Sequence, residues 1–333
     1  MSLGSSNSRC ILKTEVARTA GVKRGISGVL LLDKPQGISS NRALQIAKHF
    51  FSARKAGHTG TLDPMATGLL PICFGDATRF SSALLGANKT YEATLRLGYT
   101  SSTGDAEGDI SVAKSLSDQN VNDVGSQVEM VLRSFTGLIT QMPPMYSALK
   151  RDGKALYAYA RAGETVERTP RNITIHDITV LDVSTERFRI SVSCSKGTYI
   201  RVLAEDIGRK LGCGATLSAL RRTSVGQFLL EQAVTLAEIE GTSPERRADS
   251  LLPLDCLVRG LPPLELGPDA ARRIGMGQPT HTDSAGVQGL VRLYDYNQRF
   301  LGLGTLEPGG KLVAQRLVAS GAPVNAPSDA PNA

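Results

Sequence analysis

The sequence predicts an α+β protein: one large domain mixing strands and helices, and a small β-rich domain at the C-terminal end. Three observations support this. Short apolar runs of strand character and segments of helical spacing follow one another up to about residue 255. Composition then shifts, and Pro262-Pro263 marks a linker. Beyond it, two short alternating runs with glycine-rich turns fill some of the last 78 residues (333 minus 255), the pattern of a small sheet. At 333 residues the chain can bury a large core and leaves room for two domains.

Residues 1–26 are polar and aperiodic, with Arg9, Lys13, Arg18, Lys23 and Arg24 set against Glu15. They are expected to form a loose tail; an organelle leader and a basic RNA-touching arm are the other readings. Val29-Leu30-Leu31-Leu32 reads as a strand buried on both faces. Ser39 or Ser40 can cap a helix through Ala43, Leu44, Ala47 and Phe50. Pro71 to Phe74 reads as a strand and Asp76 to Leu85 as a helix. In the next strand Tyr91, Ala93, Leu95 and Leu97 share one face. Val121, Val124, Val128, Val131, Leu132 and Phe135 fall at helical spacing.

Ile173 to Val183 and Phe188 to Cys194 are strand-like and lead into Lys196-Gly197-Thr198-Tyr199-Ile200-Arg201. A helix follows through Val202, Leu203, Ile207 and Leu211. A cation at a helix start runs against the helix dipole, a placement that makes sense beside a carboxylate. After Pro262-Pro263, a helix is expected from Pro268 to Ile274, and strands at Val287–Tyr294 and Phe300–Leu306. Residues 319–333 read as a disordered tail.

Lys+Arg exceed Asp+Glu by 38 to 31, a net charge of +7 that suits a polyanionic partner without proving one. The five cysteines are scattered and contain no C-x-x-C, as expected of reduced thiols in the cytoplasm. Four dispersed histidines offer no zinc spacing, and no phosphate-binding glycine loop is present, so neither metal nor cofactor is expected. No apolar run reaches the roughly eighteen residues a membrane span needs. Between Gln141 and Arg171, Lys150, Arg151, Lys154, Arg161, Arg168 and Arg171 interleave with Tyr157 and Tyr159. This fits phosphate contacts plus base stacking, but a solvated face would carry the same charges.

The segment from Gly57 to Leu70 holds three glycines, a proline and three threonines, against both a helix and a good central strand. It also carries His58 and a lone carboxylate, Asp63, whose backbone Pro64 biases towards an extended form. A surface turn and a rigid loop presenting one carboxylate both satisfy the spacing. Here the pattern His58-x-Gly60-x-Leu62-Asp63-x-x-Ala66-x-Gly68-x-Leu70 resembles the nucleophile motif of the TruB-type pseudouridine synthases. Lys34-Pro35-x-Gly37 resembles that family's first motif and Lys196 to Arg201 its third. Gly275-x-Gly277-x-Pro279 with Gly302-x-Gly304 is similar, more weakly, to a PUA domain. The resemblance spans roughly residues 28 to 315.

It implies a mixed, mainly antiparallel sheet flanked by helices over 27–255, an RNA-binding insertion at about 139–171, and a PUA-like domain over 256–318. It also implies a bacterial-type, stand-alone and monomeric enzyme acting on the T-arm of tRNA, at the T-loop uridine known as position 55. No metal, cofactor, membrane or obligate protein partner is implied; a further tRNA-folding chaperone role is. By the same resemblance Asp63 is the nucleophile, Arg201 its ion-pair partner, and Tyr91 stacks on the target base and is placed to move its proton. His58 fills the space the base leaves, Tyr199 and Leu220 complete the pocket, and Asp105 lies near it. Lys34, Lys150, Arg151 and Lys154 are the remaining expected RNA contacts. Burial alone raises a carboxyl pKa, so Arg201 is expected to draw Asp63 back and keep it charged. An RNA-binding protein with a vestigial pocket and a guide-RNA-dependent member of the same superfamily are the competing readings. Intact Asp63, Tyr91 and Arg201 speak against the first; the basic insertion and short C-terminal domain speak against the second.

Overall fold

Strand β1, Gly28–Lys34, serves two cores at once. Leu30 and Leu32 enter one apolar cluster while Val29 and Leu31 enter another, because successive side chains leave opposite faces of a strand. The computed structural model describes residues 25–114, 121–282 and 286–319, so the expected tails lie almost wholly outside the described residues.

Along the chain the strands are β2 (Ala56–His58), β3 (Thr67–Phe74), β4 (Lys89–Leu97), β5 (Tyr99–Ser101), β6 (Ile110–Val112), β7 (Gly137–Gln141), β8 (Lys150–Arg151), β9 (Lys154–Ala155), β10 (Arg171–Val183), β11 (Arg187–Cys194), β12 (Ala215–Val225), β13 (Phe228–Leu229) and β14 (Val234–Thr235). The main sheet runs β14-β1-β3-β12-β4-β11-β10-β7, with β2 beside β3 and β13 beside β12. Along that order it is parallel at β14–β1 and β3–β12 and antiparallel at the other junctions. The fold is therefore α+β around a mixed, mainly antiparallel sheet.

Helices α1 (Ser40–Phe50), α2 (Ser82–Leu85), α3 (Val121–Arg133), α4 (Leu156–Arg161), α5 (Ile200–Leu211) and α6 (Leu236–Gly241) accompany this sheet. Three of them bury their apolar stripes on one sheet face: Ala43 and Leu44 from α1, Val128 from α3, Leu203 and Ile207 from α5. Ser39 is the cap that starts α1, its hydroxyl accepting from the Arg42 amide. Val121, expected in the α3 core stripe, is instead exposed at the helix start, where no later turn covers it.

The opposite face is covered by Phe80, Leu257 and Val258, together with Phe300 and Leu303 from a second sheet. That sheet comprises β15 (Pro263–Leu266), β16 (Thr280–His281), β17 (Gly289–Asp295), β18 (Phe300–Leu306) and β19 (Lys311–Leu317), in the order β15-β17-β18-β19-β16. Helix α7 (Pro268–Gly275) adds Ile274 to its own small core. Phe80, just after the Gly75–Arg79 turn, meets Phe300 of the second sheet edge-to-face, ring centroids 5.4 Å apart. No helix among the described residues is long and apolar enough to cross a membrane.

Two expectations fail locally. Asp76 to Leu85 is not one helix but a 3-10 turn, Gly75–Arg79, followed by α2. The Thr78 and Ser81 hydroxyls bond back to Gly75 and Thr78 carbonyls, which favours turns over a continuous helix. The ends of the Gly57–Leu70 segment belong to β2 and to the central strand β3, leaving only its middle as a loop. Gly68 makes this possible. It sits at φ +97°, and a Cβ there would lie 2.3 Å from the Arg222 carbonyl oxygen and 2.7 Å from its amide nitrogen.

A Gly68→Ala substitution should therefore destabilise the protein by about 2–4 kcal/mol, combining backbone strain with loss of the close β3–β12 approach. The readout is the midpoint of denaturant unfolding; an unchanged midpoint would contradict this account of the pairing.

Candidate active site

The loop between β2 and β3 is pinned from several sides. The Ser40 hydroxyl donates to the Leu62 carbonyl at 2.9 Å and accepts from the Leu62 amide at 2.7 Å. The Gly37 amide donates to the Pro64 carbonyl at 2.8 Å, joining the Lys34–Gly37 turn to the residue after Asp63. Leu62, Met65 and Ala66 anchor the loop in the core, so its apolar residues point inward while Asp63 faces out.

Arg201, in the first turn of α5, meets Asp63 with Nη2 3.1 Å from Oδ2. Its side chain is only 7 % exposed, whereas that of Asp63 is 41 % exposed, so the pair is closed behind and open in front. Arg201 also lies 3.4 Å from the buried Asp105 carboxylate and donates to the Thr103 and Tyr146 carbonyls at 3.1 and 2.7 Å. Asp105 accepts further from the Thr103 hydroxyl at 2.6 Å and the Glu107 amide at 3.1 Å. The sequence led to the expectation that Arg201 would offset the effect of burial on Asp63. Instead burial pushes the Asp63 carboxyl above its usual range; Arg201 and Lys34 pull it down, while Asp105 adds a like charge. Arg201 cannot fully offset the burial because its single charge serves two carboxylates.

Tyr91 stands on β4 packed against the main core, and burial pushes its hydroxyl pKa up, so it is protonated at neutral pH. Tyr91 lies opposite Arg222 in the register of β4 on β12, and the Arg222 guanidinium is bonded to the Gly60 carbonyl of the Asp63 loop. His58, on β2, has an unpartnered buried Nδ1; burial and the nearby Arg222 charge lower its pKa. Tyr199 immediately precedes α5, its backbone clasped by the Gln141 side chain. Leu220, on β12, is 9 % exposed in the main core.

Lys34 does not reach solvent. Its ammonium donates to the Pro35 and Ile38 carbonyls at 2.9 and 2.7 Å, and desolvation lowers its pKa to about 8. This placement suits a brace beneath the Asp63 loop rather than the RNA contact expected from sequence.

The basic insertion joins the adjacent strands β7 and β10 and reaches Arg201 through the Tyr146 carbonyl. Lys150, Arg151 and Lys154 are exposed on the β8–β9 hairpin. Arg151 lies 3.8 Å from Glu167 and Lys154 3.8 Å from Glu164, while the Lys154 ammonium sits 4.1 Å from the Tyr159 ring centre. Exposed pairs of this kind hold each partner weakly and exchange readily for phosphate.

Sequence reasoning missed Ser40, Gln141 and Arg222 as parts of the site. Arg222 carried a usable signal: two residues from Leu220 on an alternating strand, it had to point inward. Ser40 and Gln141 carried none, since their partners lie 22 and 58 residues away.

Residues 48–200 match the family model described as TruB family pseudouridylate synthase (N terminal domain). Residues 201–264 match the tRNA pseudouridylate synthase B C-terminal domain, and 262–318 match Pseudouridine synthase II TruB, C-terminal. The tRNA pseudouridine synthase B of Nitrosospira multiformis is 57% identical over 304 residues, covering 90% of this chain and 97% of the relative. That of Thiobacillus denitrificans is 50% identical over 298 residues, covering 90% and 98%. Among solved structures, a chain of an H/ACA RNP bound to a substrate RNA containing 2′-deoxyuridine superimposes with a TM-score of 0.64 at 26% identity, covering 87% of this chain and 84% of that one.

The raised Asp63 pKa carries a sign for stability. A carboxyl whose pKa is higher in the folded than in the unfolded chain costs stability when ionised, and that cost fades as pH falls through the folded value towards about 4. Asp63→Asn, with Arg201 still paired to Asp105, should melt at a higher temperature than the native protein at pH 7.5 and at nearly the same temperature at pH 4. Thermal scans at both pH values give the comparison; a lower melting temperature at pH 7.5 would refute it.

Proposed function

Because the chain belongs to the TruB family of pseudouridylate synthases, we propose that it isomerises uridine to pseudouridine in tRNA, at the T-loop uridine 55, with Asp63 as nucleophile. The observation that carries the proposal is the 3.1 Å Asp63–Arg201 pair, held on a pinned loop. Relatives at 50–57% identity that are named tRNA pseudouridine synthase B favour a stand-alone tRNA enzyme over the guide-RNA-dependent branch.

The reaction exchanges one glycosidic bond for another. The bond from ring nitrogen 1 to the sugar breaks, the uracil turns, carbon 5 bonds to the sugar, the carbon 5 proton leaves, and nitrogen 1 takes up one proton in its place. Atoms and charge balance with no metal or redox partner. A stacked uridine hides these atoms, so the nucleotide must leave its stack, at a cost of a few kcal/mol. His58 then occupies the vacated space, and Tyr91, with Tyr199 and Leu220, receives the flipped base. Asp63 attacks the sugar or the ring; either route needs a fixed, partly desolvated carboxylate oxygen. Arg201 holds that oxygen in place. The protonated Tyr91 hydroxyl is suited to relay the carbon 5 proton.

The exposed Lys150, Arg151 and Lys154, followed by Arg161, form the phosphate-contacting face of the insertion in this reading. Residues 256–318 form a second RNA-binding unit of PUA type. Residues 27–255 form the catalytic unit.

Two outcomes test this. Asp63→Asn keeps the shape but removes the nucleophilic oxygen, so pseudouridine should fall below detection in single-turnover assays with saturating enzyme while tRNA still binds. Substantial product from the folded variant would remove Asp63 from the chemistry. Independently, alanine at Lys150, Arg151, Lys154 and Arg161 should weaken tRNA binding and flatten the dependence of log affinity on log salt by roughly 0.9 per lost phosphate contact. An unchanged slope would mean that the RNA binds elsewhere.

A further inference from the structure

Arg222 is a buried charge that the reaction as described leaves without a role. It is 1 % exposed on β12. Its neighbour Arg221 pairs with Asp33 at 2.7 Å, but Arg222 has no carboxylate partner among the described residues. Instead Nε donates to the Leu69 carbonyl at 2.7 Å and Nη2 to the Gly60 carbonyl at 3.0 Å. Those two carbonyls flank the segment that carries Asp63, one on each side. In the register of β12 on β4, Arg222 stands directly opposite Tyr91, so the two side chains share one face of the sheet.

Burying an unpaired guanidinium is expensive, so support for two backbone carbonyls alone does not explain an arginine. Its planar five-donor fork is what the position uses. It spans both ends of a loop and a facing ring at fixed angles, which an ammonium on a flexible stem cannot do.

We propose that Arg222 is a positioning residue of the isomerisation, clamping both ends of the Asp63 loop and fixing that loop against Tyr91. This rests on the reading of Asp63 as nucleophile. Gly60 offers an independent handle on the same clamp. It sits at φ +78°, and a Cβ there would come within 3.4 Å of Arg222 Nη1.

The test is single-turnover pseudouridine formation by Arg222→Lys, Gly60→Ala and the double variant, alongside tRNA binding and thermal unfolding of each. Arg222→Lys should slow the first-order rate constant by about 100-fold, as a misplacement near 1 Å does, with the tRNA dissociation constant essentially unchanged. Gly60→Ala should slow it too, and the double variant should lose less than the two single losses multiplied, because both act on one clamp. A role confined to folding gives the opposite pattern: a smaller product amplitude, from fewer folded molecules, at the native rate constant. That result would overturn the proposal. Should Arg222→Lys fail to fold, Gly60→Ala decides alone, a native rate constant again overturning it. Asp63→Asn run in parallel separates the two readings. Product from that variant sinks the nucleophile assignment, whereas its silence beside a native rate for Arg222→Lys sinks only the clamp.

Discussion

The site is organised by one guanidinium. Arg201 faces Asp63 and Asp105 and donates to the carbonyls of Thr103 and Tyr146, so four separate contacts converge on a side chain that is 7 % exposed. Arginine suits this because its donors leave in fixed directions and its charge persists when water is excluded. The contacts tie the Asp63 loop, the β5–β6 connection and the basic insertion to the start of α5. Any one of these segments could move alone if its partner were a lysine or a water molecule. Tied together, they give the Asp63 carboxylate one orientation.

That orientation is maintained against local stability. Asp63 is pushed towards its neutral form by burial and by Asp105, Lys34 is desolvated to a pKa of about 8, and Arg222 is buried without a carboxylate partner among the described residues. Each would be poor design around a purely structural loop, where apolar residues would pack at lower cost. The surrounding fold tolerates this because it is apolar on both sides of the sheet. One helical layer covers the first face, and the second sheet covers part of the other through Phe300 and Leu303. Strain concentrated at one loop and supported by a large core is the pattern expected of a reacting site.

Much of this could be read along the chain because the signals are local. β1 follows from four consecutive apolar residues, β4 from alternation starting at Tyr91, α5 from the spacing of Leu203, Ile207 and Leu211. The mistakes occur where a distant contact decides. Gly68 reads as loop until the backbone of Arg222 is known to approach it, and only then does glycine become what lets a central strand form. Gln141 reads only as the start of the basic stretch, and nothing nearby announces that its amide clasps the Tyr199 backbone. Motifs locate chemistry, but the residues that hold the motif still are scattered and individually unremarkable in sequence.

The basic insertion has a consequence for how binding and chemistry communicate. It leaves the sheet at β7 and returns at β10, two strands paired directly with each other, so its base is rigid while its β8–β9 hairpin and α4 project. Its Arg and Lys side chains are held by exposed acidic partners that phosphate can replace at little cost. Its Tyr146 carbonyl, by contrast, is bonded to Arg201 at 2.7 Å. The face proposed to meet RNA and the ion pair proposed to do the chemistry therefore share one backbone segment.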